Sequence, residues 1–217
     1  SYSVTGVQTC ALPISDAGEK KNSMAEILIQ DSRLTKDQLD AFAMEIDTLI
    51  WARNLVNEPL NYLNAEMLAE QISLKAESAG VKTEVLTKKK IEALKMGGLL
   101  AVNRGSVDPP TFTILEWKPE NAVNTKPVVL IGKGVVYDTG GMSLKPSGSM
   151  ETMKCDMAGS AAVSAIIAAA ASQKLALHLV ALVPATDNRV DGNAFVPGDV
   201  ITISDGTTVE EIGRAHV

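Results

Sequence analysis

Four of the charged residues in one glycine-rich stretch, 128–159, have the types and spacing of a binding site. Lys133 stands between Gly132 and Gly134, at the end of the apolar run Val128 to Ile131. That run has the pattern of a buried strand stopped by glycine. Asp138 follows, and then the Gly140-Gly141 pair, which allows backbone to approach a ligand closely. Lys145 and Asp156 come next, the latter opening an Ala-rich helical run. Carboxylates such as Asp138 and Asp156 are what a pair of divalent cations needs for charge balance and bridging. Lysines and carboxylates gathered at the carboxyl ends of strands in an α/β sheet stand where such folds bind ligands.

The order of these residues is similar to that of the leucyl aminopeptidase family of two-metal exopeptidases. The resemblance rests on Gly132-Lys133-Gly134, Tyr137-Asp138-Thr139-Gly140-Gly141, Ser143-Leu144-Lys145 and Asp156-Met157-Ala158-Gly159, in that order. A second signature lies upstream, in Asn54-Leu55-Val56-Asn57-Glu58-Pro59 and Asn61-Tyr62-Leu63. The resemblance runs from about Asp16 to Val209. It implies metal ligation by Lys133, Asp138 and Asp156, with Asp138 bridging two ions. A free lysine titrates near 10.4, so ligation requires loss of its proton, which adjacent cations favour. Lys145 would keep its charge and polarise the scissile carbonyl. Zinc is the expected metal, with manganese or magnesium suited to the hard oxygen ligands. The resemblance further implies peptide substrates with leucine-like N-terminal residues and a homo-hexamer for the intact protein.

The chain departs from the family pattern after Thr208-Val209. There the family carries Asn-Thr-Asp-Ala-Glu-Gly-Arg, whose Asp and Glu complete the metal site and whose Arg holds a bicarbonate. Here Glu210 is followed by Glu211-Ile212-Gly213-Arg214. Neither Glu211 nor Arg214 is assigned a role, so the chain as it stands is expected to be an incomplete, inactive enzyme.

The elements that must position these residues alternate between helix and strand. Thr35 with Gln38 is a capping box, and Leu39, Phe42, Ile46, Leu49 and Ile50 recur at helical spacing, predicting a helix from Lys36 to about Val56 before Pro59. Asn64 caps a second helix, Ala65 to Ala79, closed by Gly80. Val81 to Leu86 reads as a strand, with a short helix after Thr87. Strands are predicted at Thr111 to Lys118 and Lys126 to Ile131, whose short separation suits antiparallel pairing. A helix follows over Asp156 to Ala171, then a strand from Leu175 to Val183 ended by Pro184. Val200 to Ile203 and Thr207 to Val209 flank a Ser204-Asp205-Gly206 turn. This is an α/β pattern: a mixed sheet flanked by helices, the truncated N-terminal half of a two-metal aminopeptidase catalytic domain.

Composition excludes several other classes. The net charge of −6 and the absence of a basic block beyond Lys88-Lys89-Lys90 argue against nucleic-acid binding. Only 4% of residues are aromatic, too few for base-stacking platforms. The family's DNA-binding moonlighting members form the alternative reading, which the acidic balance disfavours. Tyr137-Asp138-Thr139-Gly140 resembles an aspartic-protease turn, but that fold is all-β and needs two such aspartates. Gly132-Lys133-Gly134 lacks the Ser/Thr and upstream glycine of a phosphate-binding loop. Cys10 and Cys155 give no disulfide framework, no membrane-spanning run is identified, and a cytoplasmic setting is expected. Cys155 reads as a packing residue and His178 as a hydrogen-bonded residue of the sheet.

The two ends carry a further signal. Glu211 to Val217 can be encoded by GAG ATC GGA AGA GCA CAC GTC. The reverse complement, read one base over, encodes Thr9 to Ser15. One DNA word in opposite orientations therefore flanks the chain, and it resembles a sequencing-library adapter. The expected organisation is a non-native tail at 1–15, the end of an N-terminal domain at 16–30 and a linker helix at 31–58. A partial catalytic domain spans 59–210, and a second non-native tail 211–217.

Overall fold

The structure, a computed structural model, describes residues 34–213, so expectations for residues 1–33 and for Arg214 lie outside the described residues. The described chain divides into two compact units between Asp47 and Thr48. In the first, the capping box at Thr35 is formed: its N–H donates to Gln38 Oε1 at 2.9 Å, and Gln38 N–H donates to Thr35 Oγ1 at 3.3 Å. Helix α1 starts there and spans Lys36–Asn57, stopping before Pro59. Within the second unit its buried residues are Thr48, Ala52 and Leu55, while Leu49 of the apolar stripe is exposed.

Helix α2, Ala65–Ser78, is capped as its sequence predicts. Asn64 Oδ1 accepts the Met67 N–H at 3.0 Å, and Gly80 follows with a φ of 78°, its N–H on Glu77 O at 2.9 Å. Leu68 and Ile72 are fully buried, each stabilising the fold by about 1.5–3 kcal/mol relative to exposure. Strand β1, Lys82–Leu86, and helix α3, Lys88–Ala93, follow the expected pattern, with the three lysines exposed on the first turn of α3. Helix α4, Gly97–Asn103, was not foreseen.

The main sheet has the order β1-β2-β5-β3, with β4 also paired to β5. Strand β2 is Thr111–Trp117, β3 is Val128–Ile131, β4 is Gly134–Asp138 and β5 is Leu179–Asn188. The antiparallel pairing expected between β2 and β3 does not occur. Strand β5 lies between them, antiparallel to β2 and parallel to β3 and β4. Since β3 and β4 meet successive segments of the same edge of β5, they form one edge strand broken at Gly132-Lys133.

Strand β5 also passes through Pro184 instead of ending there. Gly132 N–H donates to Leu182 O at 2.9 Å, so the backbone groups of Leu182 face the β3/β4 edge, and those of residue 184 face the same way. The N–H that Pro184 lacks would point into the gap between β3 and β4, where no ladder bond is lost.

One sheet face, with Leu115, Ala181, Val183 and Ala185, packs on α2 and on α6, Ala158–Ser172. Thr111 Oγ1 ties the start of α2 to the sheet by donating to Ala65 O at 3.0 Å. On the other face α4 meets the end of β5, where Asn103 Nδ2 donates to Thr186 Oγ1 at 3.1 Å. The run 147–172 is long and apolar enough in composition to cross a membrane, contrary to expectation, but the buried side chains of α6 pack it into the core. Ser160, Ala161, Ser164, Ile167, Ala168 and Ala171 are buried within the fold. Strands β6, Val200–Thr202, and β7, Thr208–Glu210, form a separate hairpin. Beyond it, Glu211 N–H still donates to Asp199 O at 2.9 Å.

Candidate active site

The four residues singled out by the sequence sit around the break in the β3/β4 edge strand and the turn that precedes α6. At the break, backbone packs directly on the start of that helix. A Cβ on Gly132 would stand 2.5 Å from Val163 Cγ2 and 2.7 Å from both Gly159 O and Ser160 Cα. Only glycine fits such an approach. Ser160 N–H donates to Lys133 O at 2.9 Å and fixes the contact. Asp156, expected to open the helix itself, lies one element earlier, in the 3-10 turn Met153–Met157 that leads into α6. The result is that Lys133 Nζ stands 3.0 Å from Asp156 Oδ2.

Asp138 ends β4 and turns into the diglycine. Gly140 and Gly141 take φ values of 88° and 61°, in the left-handed region that glycine adopts without strain. The chain then doubles back, with Lys145 N–H donating to Thr139 O at 2.9 Å. This return brings the Lys145 ammonium onto Asp138 Oδ2, with both side chains largely buried. Asp138 Oδ1 accepts from Gly140 N–H and from Asn188 Nδ2, each at 2.9 Å. Burial alone would raise the Asp138 carboxyl. The hydrogen bonds from Lys145, Gly140 and Asn188, with the Lys145 charge, outweigh it and hold the group below the usual aspartate value.

The structure thus gathers the four residues as two lysine–carboxylate couples, Lys133 with Asp156 and Lys145 with Asp138. Among the described residues no ion pair joins one couple to the other. Nor do three His, Cys, Asp or Glu side chains meet in a metal-binding group. Asp156 Oδ2 is shut from solvent and has the Lys133 ammonium at 3.0 Å, without a hydrogen bond of standard geometry. A buried carboxylate oxygen without such a bond is suited to a cation. The donor set of two carboxylates and one amine fits part of a divalent metal shell.

Asn188 is the site residue that sequence reasoning missed. It sits at the far end of β5, beyond the proline at which that strand was expected to stop. Cys155 is a free thiol in the same 3-10 turn as Asp156. His178, expected within the sheet, instead stands just before β5 and away from the site, its Nε2 3.0 Å from Glu116 Oε1 and its buried Nδ1 without a hydrogen bond. An apolar groove of about 450 Å³ between Ala52 and Val56 of α1 and Ala161 and Ala165 of α6 carries no carboxylate.

Residues 50–213, which contain both couples, match the catalytic domain of the cytosol aminopeptidase family. The chain belongs to that family. A probable cytosol aminopeptidase of Chloroherpeton thalassium is 54% identical over 158 residues, 73% of this chain and 31% of that protein. One from Chlorobium limicola is 45% identical over 199 residues, 90% of this chain and 39% of its own length. Among solved structures, the leucine aminopeptidase of Caenorhabditis elegans superposes with a TM-score of 0.77 at 28% identity, over 82% of this chain and 36% of that one. The bottromycin maturation enzyme, in complex with Mn, gives 0.80 at 34%, over 91% and 42%. The mixed α/β fold is therefore that of the leucine aminopeptidases. The chain spans about a third of the length of the curated cytosol aminopeptidases it matches.

Proposed function

We propose that this chain is part of a cytoplasmic metallo-aminopeptidase that removes leucine-like N-terminal residues from peptides and assembles as a homo-hexamer. The observation that carries the reading is the pair of lysine–carboxylate couples, set within the residues that match the aminopeptidase catalytic domain. Asp138, Asp156 and Lys133 would hold divalent metal, zinc or else manganese or magnesium, which when bound polarises the peptide carbonyl and the attacking water. Asp138 and Asp156 would supply the negative charge, and Lys133 would contribute its amine. Lys145 donates a hydrogen bond toward the substrate carbonyl oxygen as charge develops there. The buried Asp156 Oδ2 and the fixed Asp138 carboxylate support these roles.

Two carboxylates do not complete a two-metal shell, so the chain alone is inactive. The parts assigned are the end of an N-terminal domain at 16–30, a linker helix at 31–58 and a partial catalytic domain at 59–210. The tails 1–15 and 211–217 lie outside the native sequence. The test is hydrolysis of leucine p-nitroanilide with added zinc or manganese, for the 217-residue chain and for a longer protein that continues the natural sequence past Val209. Turnover is expected from the longer protein alone. Its failure to turn over contradicts the activity. Turnover by the short chain that Asp138→Ala abolishes contradicts its incompleteness.

A further inference from the structure

Asn188 is the register partner of Asp138 across the β4–β5 pair, and three hydrogen bonds converge on it. Its Nδ2 donates to Asp138 Oδ1 at 2.9 Å. Its backbone oxygen accepts the Thr139 N–H at 3.0 Å and the Thr139 hydroxyl at 2.8 Å. The remaining amide atom faces the diglycine, where a Cβ on Gly141 would stand 2.7 Å from Asn188 Oδ1. That oxygen is shut from solvent and accepts no hydrogen bond. A residue serving only to fill this space would be better apolar, because an unsatisfied buried acceptor is costly and a leucine of the same shape carries none. What the amide adds is its N–H, and that bond goes to Asp138.

The two oxygens of Asp138 are thereby distinguished. Oδ1 is held by the protein, through Gly140 N–H from a glycine loop and Asn188 Nδ2 from a central strand. Oδ2 is turned toward Lys145. The loop donor belongs to the diglycine turn, whereas the β5 donor stands on a strand that pairs with β4 at Asp138 itself.

We propose that Asn188 is a positioning residue: its amide fixes the rotation of the Asp138 carboxylate and presents Oδ2 to Lys145 and to a cation at the site. The proposal rests on Asp138 being a site carboxylate, as proposed above. Groups that orient metal-binding side chains typically contribute about 10–100-fold in metal affinity.

The test compares the 217-residue chain with Asn188→Leu, which keeps the shape and removes the donor. Asn124→Ala is the control, since Asn124 clamps the backbone of His178 away from the site. Two readouts are used: Mn²⁺ affinity by electron paramagnetic resonance, and the labelling rate of Lys145 by an amine-reactive probe relative to exposed Lys89. Loss of Asn188 is expected to weaken Mn²⁺ binding by about 10–100-fold and to raise Lys145 labelling severalfold, because a freed carboxylate no longer pins the ammonium. The control should change neither, even if its melting temperature falls equally. Where Mn²⁺ binds the parent chain no better than Asp138→Ala, the metal reading of this chain fails, and the labelling arm alone decides the positioning claim. Lys145 labelling unchanged by Asn188→Leu, or changed equally by Asn124→Ala, overturns it.

Discussion

Lys133 Nζ lies 3.0 Å from Asp156 Oδ2, yet this buried oxygen receives no hydrogen bond from it or from any other group. The lysine balances the charge of this carboxylate. Since Lys133 is 60% exposed, solvent screens the attraction, and such pairs stabilise a fold by no more than about 1 kcal/mol. Asp156→Asn is therefore expected to leave urea-unfolding stability within about 1 kcal/mol while weakening metal binding. A large loss of stability with metal binding intact would make the couple a structural ion pair.

The contact between the strand break and α6 depends on Gly132. An added methyl meets backbone at 2.7 Å, so Gly132→Ala should destabilise by about 1–3 kcal/mol and displace Lys133. Gly148, in the short helix α5, Ser147–Met150, has open space around it, and Gly148→Ala should be neutral or stabilise by about 0.5–1 kcal/mol. Equal melting temperatures for the two variants would mean that the close approach is absent.

The core prediction concerns Leu115, fully buried on the sheet face under α2 and α6. Leu115→Ala should cost about 2–5 kcal/mol by denaturant unfolding. Val107, 94% exposed, should tolerate Ala within about 0.5 kcal/mol.

The hairpin of β6 and β7 carries a local pH signature. The Thr207 N–H donates to Asp205 Oδ1 at 2.8 Å, and with the Thr207 side chain it holds the Asp205 carboxyl below its ordinary value. A lowered folded value means that the turn's extra stability is present above the unfolded aspartate value near 3.9. It is lost as pH falls through the folded value. Protection of the Thr207 amide from hydrogen exchange should drop across that acid window, and Asp205→Ala should show low protection at every pH. Protection that rises on acidification would reverse the sign.

Much of this was readable in the chain. The capping box at Thr35, the Asn64 cap, the Gly80 stop and the runs of β2 and β3 depend on local chemistry that neighbouring residues report directly. Strand β4 was not, because its opening glycine and the preceding Lys133 read as loop, while its ladder bonds come from β5, some fifty residues away in the chain. The end of β5 was hidden by Pro184, which is tolerated only because the edge strand is broken opposite it. Asn188 was missed for that reason alone. The lysines and carboxylates were found by their spacing, but nothing local shows which lysine meets which carboxylate. That pairing is set by the turn into α6 and by the return of the chain after the diglycine.

The most direct measurement is the contrast between Lys145 and the two aspartates in a longer protein that continues past Val209. Lys145→Ala is expected to lower kcat by about 10²–10³-fold with KM little changed and metal content intact. Asp138→Ala and Asp156→Ala are expected to lose metal. A Lys145→Ala enzyme with near-normal kcat, or aspartate variants that retain their full metal content, would contradict the account.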